Sequence, residues 1–141
     1  MEKRARHQLD DEAVAMLDAA RVAADFAYAP FSGFSVGAAA RTSTGELLTG
    51  CNVENSSYGL TICAERVAVF RAIAMGARSI AAIAIFTRTS EPSTPCGACR
   101  QVLAEFAGDD LPVYLGCDTD EVLVTTLGAL LPRAFRLGHE A

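Results

Sequence analysis

Tryptophan is absent from this chain, histidine occurs only twice, and 12 basic side chains face 17 acidic ones. The formal charge of −5, with the few basic clusters (KRAR at Lys3 to Arg6, then Arg133 and Arg136) near the ends, argues against a nucleic-acid partner. A small neutral or cationic substrate is the easier fit. No apolar run reaches membrane-spanning length, and the opening MEKRARHQLDDE has no charged start followed by an apolar stretch. A soluble, cytoplasmic protein with no membrane partner is therefore expected. No repeat, low-complexity tract or linker divides the 141 residues, so one domain covering 1–141 is expected. A chain of this size buries about 68% of its unfolded surface and needs no disulfide staples. Its five cysteines, an odd number, read instead as thiols available for metal binding or catalysis.

What is present reads as alternating helix and strand. Val14, Leu17, Val22 and Phe26 recur at near-helical spacing after DDE, predicting a helix from Asp10 to about Ala27. FSVGAAARTS and ELLTGCNVE flank Thr44 and Gly45 as a hairpin. CAERVAVFRAIAM, Cys63 to Met75, is a helix closed by Gly76, and IAAIAIF, Ile80 to Phe86, is a strand covered on both faces. A helix from about Pro95 to Phe106, a strand PVYLG and a last helix near Thr119 to Leu130 complete the pattern. This order predicts an α/β fold, a three-layer α/β/α sandwich around a central mixed sheet of roughly five strands, the later ones parallel. Phe70, Phe86 and Phe106 are expected in the core, with Cys51 and Cys117 as small buried hydrophobes.

The chemistry gathers at two helix starts. Thr94 and Pro95 put Cys96 and Cys99 in a first helical turn, where unpaired N–H groups and the macrodipole favour thiolates. TICAERVAV puts Cys63 and Glu65 at another helix opening, two residues apart, so both address one centre only if it lies off the helix end. Cys63, Cys96 and Cys99 make three sulfurs, one short of a closed structural zinc site, and neither His7 nor His139 is placed to be the fourth ligand. Three ligands and an open position describe a catalytic zinc, with Glu65 as the base beside it. Taken alone, the Cys96–Cys99 pair fits a redox couple or half of a structural zinc site equally well, and Glu65 alone fits a first-turn carboxylate satisfying the helix dipole.

CAE at Cys63 to Glu65 and PCGACRQ at Pro95 to Gln101 resemble the zinc-dependent nucleoside deaminases, specifically the short, tetrameric cytidine deaminases. YAPFSGFSVGAA and GCNVENSSYG are similar to that family's substrate-binding segments, and the resemblance runs from about Tyr28 to Phe135. It implies hydrolysis of cytidine and 2′-deoxycytidine to uridine and 2′-deoxyuridine, as in pyrimidine salvage. One Zn2+ per subunit would activate the water that attacks C4, with Glu65 shuttling protons. It implies that Arg66 hydrogen-bonds the ligand thiolates and offsets their charge, with Arg100 as positional competitor. Asn52 and Glu54 point to one strand face and would grip ribose hydroxyls. Phe34 would pack on the pyrimidine and Ala64 contact the base through its backbone. Tyr58 and Phe135 would reach a neighbouring subunit's site in a homotetramer.

Two rivals remain. A blasticidin S-type deaminase shares the zinc core, but NVEN at Asn52 to Asn55 favours the nucleoside. A thiol redox or structural zinc module would leave Glu65 dispensable.

Overall fold

The computed structural model describes residues 1–138. Six strands form one sheet in the order β1-β6-β5-β4-β2-β3: β1 Glu2–Ala5, β2 Val36–Thr42, β3 Leu47–Cys51, β4 Ile80–Thr87, β5 Pro112–Gly116 and β6 Glu121–Thr126. Only β4 and β5 pair in parallel; every other neighbour is antiparallel. Helix α1 (Asp11–Ala24) covers one face, while α2 (Ala64–Ala74), α3 (Gly97–Phe106) and the single turn α4 (Leu127–Leu130) belong to the other. The expected three-layer mixed sandwich is what forms. No helix among the described residues is long and apolar enough to cross a membrane.

The period of two along each strand sorts side chains between the layers. Ala38 and Ala40 of β2, with Ile83 and Ile85 of β4, join the core beneath α2 and α3. Ala39, Ala82, Ala84 and Phe86 join Met16, Leu17, Ala20 and Ala24 beneath α1. Much of this core is alanine, so the helices lie close to the sheet. A Cβ on Gly37 would come 1.9 Å from the Ala20 carbonyl oxygen, and one on Gly50 2.5 Å from the Ala68 nitrogen and 2.8 Å from the Ala64 oxygen.

The sheet of roughly five strands is borne out with six, because the charged segment Glu2–Ala5 pairs with β6, Lys3 reaching Glu121 at 3.3 Å; such charged strands suit a sheet edge. Other sequence expectations are corrected. The segment expected as a helix from Thr119 is strand β6, whose Val122 and Val124 face the α1 layer and Leu123 the other. Helix begins only at Leu127, where Thr126 Oγ1 accepts from the Ala129 nitrogen. Helix α1 ends at Ala24, short of Ala27. Val22 and Phe26 are exposed, and its buried face runs through Ala13, Met16, Leu17, Ala20, Ala23 and Ala24. Phe70 is exposed, not core, and Cys51 is only half-buried.

Gly50 lies directly under the first turns of α2, which carry Ala64 and Glu65. Gly50→Ala is expected to destabilise the protein by about 1–3 kcal/mol through overpacking. Urea unfolding measures this; a wild-type midpoint would contradict the close approach.

Candidate active site

Helices α2 and α3 both start at the cavity, and both have a cysteine as N-cap: Cys63 for α2 and Cys96 for α3. Neither sulfur makes a capping bond to its own helix, so both are free to face each other. Their Sγ atoms lie 3.8 Å apart, and Cys96 Sγ lies 3.5 Å from Cys99 Sγ, one turn into α3. All three sulfurs fall within 4.8 Å of one another. Tetrahedral zinc with Zn–S bonds of ~2.3 Å holds its sulfurs ~3.8 Å apart, so the donor set fits in type and spacing. Cys51 and Cys117 lie elsewhere: Cys51 Sγ donates to the Phe26 carbonyl, and Cys117 Sγ lies 3.1 Å from Thr119 Oγ1. His139 lies outside the described residues.

The electrostatics follow from this crowding. A hydrogen bond from the Cys99 thiol, with Arg66 and Cys96 assisting against burial, brings Cys63 down to about 5. Cys99 goes the opposite way, because it gives that bond to Cys63, is buried, and feels the Glu65 charge. The Arg66 Nη2 donates to Cys63 Sγ at 3.3 Å, whereas its Nε is buried without a partner. Arg100 turns away, to the carbonyls of Pro95 and Leu130 and to Thr94 Oγ1. Glu65 is only 5% exposed, and burial pushes its carboxyl up, reinforced by the neighbouring Cys63 charge. A carboxyl raised in this way holds a proton more readily than an exposed one, which suits it to take and return one.

Cys63, Cys96 and Glu65 face a cavity of about 260 Å3 at the C-terminal end of β4, which supplies Ile85 and Thr87. Strand carboxyl ends at a change of strand direction are the usual location for ligands in open α/β sheets. Phe34, Asn52, Glu54, Ala64, Glu65, Cys63 and Cys96 all line it. Asn52 and Glu54 also have a structural task. The Asn52 side chain, 8% exposed, accepts from the Val36 nitrogen at 2.9 Å and donates to the Phe34 carbonyl at 2.7 Å. Glu54 accepts from the nitrogens of Phe31 and Ser32 and from the Ser32 hydroxyl. The hydroxyl bond, then these two N–H groups, hold its carboxyl below the usual range.

Tyr58 and Phe135 are not in this cavity. Tyr58, 77% exposed, stacks edge-to-face on Phe31 at 6.0 Å, in an adjoining depression that shares Ser32, Glu54 and Thr61 with the cavity. Phe135 is 69% exposed, its carbonyl accepting from Gln101 Nε2 at 2.8 Å. The sequence reading missed the hydroxyls of Ser32, Thr61, Ser93 and Thr94 in the lining. They are isolated loop residues with no spacing signal.

A family model for the cytidine and deoxycytidylate deaminase zinc-binding region matches residues 10–115. The chain belongs to this family. A cytidine deaminase from Sporosarcina psychrophila is 50% identical over 109 residues, covering 77% of this chain and 80% of that protein. One from Mycobacterium tuberculosis is 45% identical over 115 residues, covering 82% of this chain and 83% of its own length. The crystal structure of cytidine deaminase from Burkholderia pseudomallei superposes with a TM-score of 0.83 at 49% identity, covering 90% of this chain and 100% of that one.

A deaminase zinc region with this sulfur cluster makes zinc the resident metal, and the thiols should report it. Chelation of the metal-loaded protein is expected to release one zinc per chain and make Cys63, Cys96 and Cys99 newly reactive in thiol titration. Fewer than three added thiols would contradict a three-sulfur site.

Proposed function

We propose that this chain converts cytidine and 2′-deoxycytidine to uridine and 2′-deoxyuridine by hydrolysis, releasing ammonia. The observation that carries this reading is the buried Glu65 carboxyl at a three-sulfur metal site on the wall of a nucleoside-sized cavity. When bound, zinc supplies a Lewis acid at an open coordination position and lowers the pKa of water towards ~7.

The remaining chemistry belongs to the chain. Glu65 removes a proton from the attacking water and delivers it to N3 of the base as a C–O bond forms at C4. Glu65 then takes the hydroxyl proton from C4 and passes it to the amino nitrogen; the C4–N bond breaks and ammonia leaves. Arg66 offsets the charge of the thiolates, because three of them around a divalent cation sum to −1. The Phe34 ring packs on the pyrimidine, and the Ala64 backbone meets its edge. Asn52 retains one amide hydrogen beyond the bond to Phe34, and Glu54 is an acceptor; together they address the ribose hydroxyls. Among the described residues no Lys, Arg or His lines the cavity, and Glu54 repels phosphate, so nucleosides are favoured over nucleotides.

We also read the protein as a cytoplasmic homotetramer with shared sites. Tyr58 and Phe135 project outside their own cavity, and Phe26 and Phe70 are likewise exposed, a distribution suited to contact between copies.

The direct test incubates zinc-loaded protein with cytidine, following the ultraviolet change and ammonia together. Rapid conversion is expected, and Glu65→Gln should fold, retain zinc and lose ~10²–10⁴-fold in rate. No conversion by the wild type, or normal turnover by the variant, would overturn the assignment. Arg66→Ala should move the acidic limb of the pH–rate profile to higher pH, since water loses its proton less readily beside uncompensated thiolates. An unchanged limb would remove the charge-offsetting role from Arg66.

A further inference from the structure

Arg100 opposes its local electrostatics. It lies four residues beyond the Cys96 cap, beside the first turn of α3, where the macrodipole and unpaired N–H groups favour anions, and no acidic residue in that turn compensates it. A cation placed against its helix needs partners elsewhere, and Arg100 has three. Its Nε donates to the Pro95 carbonyl at 2.7 Å, its Nη1 to the Leu130 carbonyl at 2.7 Å, and its Nη2 to Thr94 Oγ1 at 3.1 Å.

Two of those acceptors belong to the residues immediately before Cys96, and Thr94 lines the cavity. The third is a carbonyl in the last turn of α4, a group that a helix end leaves without an internal partner. The stretch 92–95 begins and ends with proline, which has no N–H to give, and among the described residues no main-chain hydrogen bond ties it down. The guanidinium fork thus supplies fixation that the backbone of this segment lacks. Leu130 is buried, so the far end of the clamp is anchored in the core.

We propose that Arg100 is a positioning residue: by clamping Thr94 and Pro95 against the end of α4, it presets the Cys96 sulfur for the metal and holds Thr94 at the cavity wall. It acts by geometry, whereas Arg66 touches a ligand sulfur directly. The proposal rests on the zinc reading above.

The test measures zinc affinity by competition with a chromogenic chelator, alongside thermal unfolding and the pH–rate profile of the zinc-saturated protein. Arg100→Ala is expected to bind zinc ~10–100-fold more weakly, as loss of a group that orients a metal ligand typically does. Arg100→Lys, a point donor without the fork, should recover little of that loss. Thr94→Val, which removes one of the three bonds, should show a smaller loss in the same direction. Saturated Arg100→Ala should keep the wild-type acidic limb, the readout that separates position from charge. Wild-type zinc affinity in folded Arg100→Ala, full recovery in Arg100→Lys, or a shifted acidic limb would each overturn the proposal. If Arg100→Ala does not fold, wild-type affinity in Arg100→Lys does so instead. A wild-type protein that takes up no zinc would instead overturn the metal reading itself.

Discussion

Two helices begin at one point above the end of β4, and each begins with a cysteine instead of a capping oxygen. That convergence governs the rest of the site. Serine, threonine, aspartate or asparagine at either cap would satisfy a backbone N–H and stabilise its helix, typically by about 1 kcal/mol. Neither Cys63 nor Cys96 makes that bond, so both sulfurs remain available to a common centre. The alanine-rich core and the absent side chain of Gly50 let α2 settle close enough for this meeting. Packing at a strand and chemistry at a helix end are therefore one constraint.

Charge balance explains the composition around the sulfurs. A divalent cation with three thiolates is left one unit negative, and a nearby ionised Glu65 would add another. Burial raises the Glu65 carboxyl, and Arg66 contributes a cation to the cluster at 3.3 Å from Cys63. The basic side chain nearest in sequence to the third sulfur, Arg100, spends its donors on oxygens instead. Residue type alone does not separate these two arginines. Position does, because Arg66 lies three residues after its cysteine cap and on the same helical face, while Arg100 is drawn towards the carbonyl end of α4.

The meeting of Cys63, Cys96 and Cys99 beside Glu65 was legible in the sequence because it is local: each lies within a turn of a helix start marked by its own neighbours. The central strands were legible for the same reason, as continuous apolar runs. The parts that were not legible depend on distant partners. Glu2–Ala5 becomes a strand only because β6 offers it an edge, and β6 itself, EVLVTT, sits beside helix-forming residues that masked its alternation. Phe26 follows helical spacing yet falls beyond the end of α1, and Phe70 lies on the outer side of α2, because Ala64, Ala68, Val69 and Ala72 occupy the face turned to the sheet. Ser32 and Ser93 carry no pattern, and Thr94 marks only the approach to a helix; the folding of their two loops around one cavity gives them a place there.

Asn52 and Glu54 show how binding and folding share atoms at this site. Spacing of two residues along an extended segment predicted that both would face one side, and both line the cavity. Yet most of their hydrogen-bonding capacity is already committed to the segment from Phe31 to Val36, which also carries Phe34. A sugar placed there meets groups already oriented by the protein, so little side-chain freedom remains to be lost on binding. The same commitment ties Asn52 and Glu54 to the backbone that carries Phe34: moving either polar side chain displaces that ring. On the proposed reading, ribose recognition and ring stacking form a single mechanical unit.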